Sequence, residues 1–218
     1  MDKVMSIEQA VSKITDGMSI MLGGFVGCGC ADTLINYIAE KGIKDLTIIT
    51  NDGGLPGKGP HILTDAGLVK KYIASHAGTN RPLSALVAAN EIDTELIPQG
   101  TLAEKIRAAA FGLGGIITPT GIGTLVEEGK QKITINGREF LVEEPLFADV
   151  ALIRGCRVDR QGNVVTRMTT RGHSPYMAGA AKYTIVEAEH IESIGSINPN
   201  DVVIPGAFVD AVVQAKFY

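Results

Sequence analysis

The chain contains no tryptophan, and aromatic residues make up only 5% of its 218 positions. A core so poor in large rings must be built from aliphatic side chains, which bring the apolar fraction to an ordinary 45%. Only three cysteines occur, Cys28, Cys30 and Cys156. They are too few for a disulfide framework in a chain of this length, and the single Cys-x-Cys has no second pair to complete four zinc ligands. No stretch is long and apolar enough to span a bilayer, and Met1 to Met5 lacks the apolar core of a signal peptide. A cytoplasmic protein with no membrane partner is therefore expected. A basic excess is also missing. The net charge of −4 argues against nucleic acid as a partner, since phosphate binding needs a basic face. There is no Walker loop, no Gly-x-Ser-x-Gly and no Ser-His-Asp arrangement.

Glycine, by contrast, is abundant, with 26 residues. So many glycines suit tight turns between short elements. Ser6-Ile7-Glu8-Gln9 is a capping box, and Ile7, Ala10, Val11 and Ile14 follow at helical spacing. Ser19–Leu22 reads as a wholly apolar strand, Leu34, Ile35 and Ile38 as the buried side of a helix, and Leu46–Ile49 as a second strand. Tyr72–Ser75 and Glu95–Pro98 read as buried strands, and Thr101-Leu102-Ala103-Glu104 as a capping box opening a helix to about Phe111. Gly114–Thr118 reads as another strand. Short apolar runs separated by helices predict parallel strands buried on both faces. Asn136-Gly137, between 131–135 and 138–142, predicts a type I′ hairpin projecting from that sheet. Val150–Ile153, a turn at 159–162, a short strand at Val164-Val165, a helix at 175–181 and Thr184–Val186 complete the pattern. The expectation is an α/β fold over 1–218 as one domain: a mainly parallel open sheet, helices on both faces and an inserted β-hairpin.

Ligands of such sheets bind at the carboxyl ends of the strands. Four loops qualify: Gly23 to Asp32, Asn51 to Gly59, Gln99 to Thr101, and Thr118 to Thr124. Gly27-Cys28-Gly29 invites a dinucleotide reading, but the third glycine of that fingerprint falls at Asp32. A tight strand-to-helix turn is the plainer account. Cys28 and Cys30 read as packing thiols rather than metal ligands, and no metal is expected. His76, after an apolar strand, is a candidate to reach the same edge. Arg154, Arg157, Arg160, Arg167 and Arg171 match no single helix face, which favours solvated surface or a subunit contact over a phosphate clamp.

Read as a continuous string, Asp16-Gly17-Met18-Ser19-Ile20-Met21-Leu22-Gly23-Gly24-Phe25 resembles the signature of family I coenzyme A transferases. The match runs through Gly29, with Ala31 where the family has proline. It continues at Leu46 to Asp52, at Pro98-Gln99-Gly100-Thr101 through Arg107, at Thr118-Pro119-Thr120-Gly121, over Ala148 to Asn163 and at Ile204-Pro205-Gly206. The resemblance spans nearly the whole chain, in order.

It implies a ping-pong exchange of coenzyme A between short acids such as acetate, butyrate and acetoacetate, with coenzyme A as substrate and no cofactor. A glutamate in a Glu-Asn-Gly context attacks the acyl-CoA, giving an anhydride and then a glutamyl thioester, so that one difficult step becomes two. No Glu-Asn-Gly occurs here. With the length, that absence implies an A subunit whose B partner carries the glutamate, in an A2B2 or larger assembly, with no catalytic nucleophile on this chain. By resemblance, Asn51 and Gln99 line the active site in supporting roles. Gly23, Gly24, Phe25, Gly27, Cys28 and Gly29 are expected to contact the substrate, and the backbone N–H groups of Gly23-Gly24-Phe25 to bind the acid or stabilise the tetrahedral adduct. Arg171-Gly172-His173-Ser174-Pro175 stands where relatives commonly have Arg-Asn-Phe-Asn-Pro, which bears on the identity of the acid. The alternatives are a sugar-phosphate isomerase on a similar sheet and a non-catalytic module that binds acyl-CoA or a small acid.

Overall fold

The computed structural model describes residues 1–216. In chain order the elements are α1 (Ile7–Val11), β1 (Ser19–Leu22), α2 (Asp32–Lys41), β2 (Leu46–Ile49), α3 (Pro60–Asp65), β3 (Val69–Ala74), α4 (Arg81–Ala88), β4 (Asp93–Leu96) and α5 (Gln99–Ala110). There follow β5 (Ile116–Thr118), β6 (Lys132–Ile135), β7 (Arg138–Glu143), β8 (Ala148–Asp159), β9 (Val164–Val165), α6 (Ser174–Ala180), β10 (Ala181–Glu192) and β11 (Ala211–Gln214).

Seven strands lie in the order β11-β10-β8-β1-β2-β3-β4, with β9 added antiparallel on β8. Every pairing along the seven is parallel. The expected open parallel sheet is therefore present. Alternation along each strand sorts the side chains onto its two faces. Ile20, Leu22, Ile48, Tyr72, Val150 and Leu152 pack beneath α1 to α4, against Leu34, Ile35, Ile38, Leu63 and Leu83. Met21, Ile49, Ile73, Ala151 and Ile153 face the other way, onto Leu102, Ile106 and Ala109 of α5 and Met177 and Ala178 of α6. Helices thus cover both faces. Each large aliphatic side chain so buried contributes about 1.5–3 kcal/mol, more than a typical hydrogen bond, so this two-sided core sets the stability.

Four expectations need correction. Gly114–Thr118 contains a strand, but β5 is antiparallel to β7 and lies outside the parallel sheet. With the hairpin β6–β7 it forms a separate three-stranded sheet, so the hairpin does not project from the main one. The turn itself is as expected, with Asn136 and Gly137 both at positive φ (50° and 76°). A buried Glu143 holds this small sheet to α5. Burial works to raise its carboxyl, but hydrogen bonds from Lys130 and Lys105 outweigh that and hold it below the usual range. The fourth strand is Asp93–Leu96, an edge strand with Leu96 half exposed, and not a buried run at Glu95–Pro98. Finally, α5 starts at Gln99 behind Pro98, without a side-chain cap, so Thr101 is inside the helix and its hydroxyl is buried unpaired.

Three adjacent strands, β1, β8 and β10, are tied together at their amino ends by one carboxylate. Asp149 Oδ2 accepts from the Ser19 N–H (3.0 Å) and hydroxyl (2.8 Å), while Lys182 on β10 donates to Oδ1 (2.9 Å). The Ser19 backbone N–H, then Lys182 and the Ser19 hydroxyl, pull its pKa from 3.8 to about 2. A carboxylate whose folded pKa is depressed adds stability above its unfolded pKa and loses it as pH falls through the folded value. Asp149→Asn is therefore expected to be less stable than the parent chain at about pH 6, with the gap closing as pH drops from about 4 to 2, in thermal melts across pH. A gap independent of pH would show that the carboxylate's charge contributes nothing.

Candidate functional site

Strand order reverses at β1, with β2 on one edge and β8 on the other. The crevice of an open sheet lies at such a reversal, outside the carboxyl ends. The loop that leaves β1 there is Gly23 to Ala31. Its first residue stays in the ladder, the Gly23 N–H donating to the Leu152 carbonyl (3.0 Å). A Cβ at Gly23 would lie 2.6 Å from the Ser174 hydroxyl, so only glycine lets the start of α6 pack this close. At Gly24, φ is +107° and a Cβ would meet Cys30 Sγ at 2.6 Å. The Gly-Gly pair thus turns the chain sharply and admits His173, the residue before α6, to the same mouth.

Asn51 lies two residues beyond β2 and is 2% exposed. Its Nδ2 donates to the Gly24 carbonyl (2.6 Å), and its Oδ1 accepts from Gln99 Nε2 (2.7 Å). The single Ser75 hydroxyl proton is shared between the Asn51 carbonyl (2.8 Å) and Gln99 Oε1. Gln99 Nε2 lies 3.4 Å from His173 Nε2. Next to this chain, the Asp52 carboxylate accepts from the N–H groups of Val26 and Gly54, both at 2.8 Å, which pins the second loop against the first. Loops after β1, β2, β3 and β4 therefore converge, and the sites expected at Asn51 and Gln99 are in direct contact.

Between them opens a cleft of about 370 Å³, lined by Phe25, Val26, Cys28, Asn51, Gln99, Thr169, Gly172 and His173. Its polar groups are amides, a hydroxyl and an imidazole. Burial lowers the His173 pKa, which keeps the ring neutral at physiological pH. The cleft can hold a small, partly apolar acyl group and offer it neutral donors. A larger cavity, about 520 Å³, lies on the other side of Gly27–Gly29. Arg154 and Arg167, which line it, are both tied to Glu189 (3.0 and 3.2 Å). Arg157 pairs with Glu192 and Arg160 with Asp2.

Of the expected loop residues, Phe25 (58% exposed) and Cys28 face the cleft, and Cys28, Gly27 and Gly29 also border the larger cavity. The role expected for the loop's backbone N–H groups is narrower than the sequence suggested. Those of Gly23, Phe25 and Cys28 already donate to carbonyls, and that of Val26 to Asp52. Cys30 is buried, and burial pushes its thiol up, so it is a packing residue. Among the described residues there is no group of three or more His, Cys, Asp or Glu placed to hold a metal ion, and no helix long and apolar enough to cross a membrane. His76 is exposed and stands outside the cleft lining, as does the loop 118–124, part of which borders the outer side of α5. Sequence reasoning missed Ser75 and Thr169 and gave His173 no contact. Ser75 directly follows β3, so its position at a strand's carboxyl end was the signal available. Nothing local places His173 beside Gln99.

The family model for coenzyme A transferase matches residues 4–215. The chain is 47% identical over 212 residues to the acetoacetyl-CoA:acetate/butyrate CoA transferase alpha subunit of Clostridium acetobutylicum, covering 97% of each. It is 44% identical over 214 residues to the acetate CoA-transferase subunit alpha of Escherichia coli K12, covering 98% of this chain and 97% of that one. Among solved structures it superposes with a TM-score of 0.87, at 27% identity, on an acyl-CoA transferase from Escherichia coli O157:H7 in a thioester complex with CoA. That match covers 98% of this chain and 47% of the other, so the chain spans about half the length of that protein.

Removing the Asn51 side chain orphans the Gly24 carbonyl and one Gln99 N–H in a buried setting. Asn51→Ala is expected to lower stability by about 1–3 kcal/mol in denaturant titrations, the cost of unsatisfied buried polar groups. A loss within the noise of the extrapolation would mean that these bonds do not hold the loop.

Proposed function

The chain belongs to the coenzyme A transferase family, and on that premise we propose that it is the A subunit of an enzyme exchanging coenzyme A between a short-chain acyl-CoA or 3-oxoacyl-CoA and a short acid such as acetate, butyrate or acetoacetate. Its partner is a B subunit bearing the nucleophilic glutamate, in an A2B2 or larger cytoplasmic assembly. Membership of the family sets aside the isomerase reading. The names of the two relatives support the substrate class and the two-subunit plan.

One observation carries the reading at the level of chemistry. The Gln99 amide is held by Asn51 and Ser75 at the switch-point mouth, and its second N–H faces a cleft with no carboxylate among its lining residues. A carboxylate nucleophile entering from a partner attacks the thioester carbonyl, and negative charge develops on that oxygen. A preorganised side-chain amide stabilises that charge without adding a cation that would pair with the nucleophile and quench it. The coenzyme A thiolate leaves, the acyl group is held as an anhydride, and the returning thiolate releases the acid and forms the glutamyl thioester. The new acid then reverses the sequence. The small volume and uncharged lining suit monocarboxylates better than dicarboxylates.

The test is a transferase assay with acetoacetyl-CoA and acetate or butyrate, on this chain alone and co-expressed with a chain of similar size bearing Glu-Asn-Gly. Turnover only with the partner is expected; a stable complex inert toward every short acid would return the non-catalytic binding module. Within the active complex, Gln99→Ala is expected to reduce kcat by about 10²–10³, with assembly intact by size-exclusion chromatography. Unchanged turnover removes Gln99 from the mechanism.

A further inference from the structure

Hydrogen bonding at the cleft is incomplete in a specific way. The orientation of each amide follows from its neighbours. The Gly24 carbonyl only accepts, so Asn51 presents Nδ2 to it (2.6 Å). Asn51 Oδ1 is left for Gln99, which answers with Nε2 (2.7 Å) and keeps Oε1 for the Ser75 hydroxyl. The second N–H of Gln99 faces His173 Nε2 at 3.4 Å. His173 Nδ1, at the other side of the ring, is buried with no hydrogen-bond partner.

The neutral ring carries one proton, and its position matters. On Nδ1 it would leave Nε2 to accept from Gln99 across a long 3.4 Å, at the cost of an orphaned buried N–H inside. On Nε2 it leaves only an acceptor unmatched inside, but two donors then face each other across 3.4 Å at the wall of the cleft. Two such donors have no mutual bond to make. A ligand with two acceptor oxygens at matching spacing completes both.

We propose that His173 is a specificity-determining residue that donates to an oxygen on the third carbon of the acyl chain, so that the cleft selects 3-oxoacyl groups over hydrocarbon chains of equal length. The inference rests on the transferase reading above. A 3-oxoacyl thioester carries carbonyl oxygens on alternate carbons, the arrangement that meets adjacent donors. Gln99 takes the thioester oxygen, where charge develops, and His173 takes the 3-oxo oxygen. A butyryl chain places a methylene against the imidazole and leaves a desolvated N–H unpaired. Sites built to hydrogen-bond a substrate discriminate through that penalty.

The experiment uses the two-chain complex with acetoacetyl-CoA and butyryl-CoA as donors and acetate as acceptor. His173→Phe keeps a ring of similar size and removes the donor. It is expected to lower kcat/KM for acetoacetyl-CoA about tenfold, roughly the worth of one enclosed neutral hydrogen bond, and to raise that for butyryl-CoA, because the unpaired N–H is gone. His173→Gln keeps an N–H and is expected to recover part of the acetoacetyl preference. Equal loss on both donors, or none on either, overturns the inference while leaving the transferase reading in place. A parent complex that turns over neither donor removes that reading, and the inference with it.

Discussion

Everything at the site depends on β1 being paired on both edges. Because β2 and β8 flank it in parallel, the crossovers to either side run away from its carboxyl end and leave that end open. The Gly23 N–H extends the ladder to Leu152 for one more residue before the chain turns. Only a residue without a Cβ fits there, since Ser174 packs against it. The close approach does two jobs. It sets the height of the Gly24 carbonyl that orients Asn51, and it brings His173 across from a segment 150 residues further along the chain.

The polar chain from Gly24 through Asn51 and Gln99 to Ser75 is short and buried at its centre. Each bond adds only about 1 kcal/mol net, but each missing partner would cost up to about 3 kcal/mol, so the orientations are strongly enforced. That asymmetry leaves one N–H facing the cleft and makes its position a property of the scaffold. A comparable substitution supports the loop from below. Ala31 cannot cap α2, and the buried Glu187 on β10 accepts from the Leu34 N–H and the Thr33 hydroxyl in its place. Burial raises that carboxyl to about 7, against the pull of Leu34, Arg154 and Thr33, so the cap is an ionisable group held in the core.

The elements most legible in the sequence were those with strong local signals. Ser19–Leu22 and Leu46–Ile49 were bounded by turn residues, and Asn136-Gly137 specified its turn outright. The capping box at Ser6 formed, with Gln9 and Ser6 each donating to the other's oxygen. The one at Thr101 did not, because Pro98 already sets the chain at the entry to α5 and the helix begins at once. Gly114–Thr118 has the same apolar look as a parallel strand, and only its partner, β7, made it antiparallel. The short helices α3 and α4 and the strand β11 went unnoticed. Each is too brief for periodicity to register; α3 and α4 are held by packing against the sheet, and β11 by its ladder with β10.

By itself the sequence determined that the core is aliphatic, that strands alternate with helices, and that glycine-rich and amide-bearing loops follow the strands. Those properties are local, carried by composition, spacing and turn chemistry within a few residues. Tertiary structure decided which strand stands at the reversal, that Asn51 and Gln99 touch, that four of the loop's N–H groups are already bonded, and that an imidazole from position 173 meets them. Parallel strands pair only through long crossovers, so the neighbours of any residue at a strand's carboxyl end are settled by sheet order, which no local pattern records.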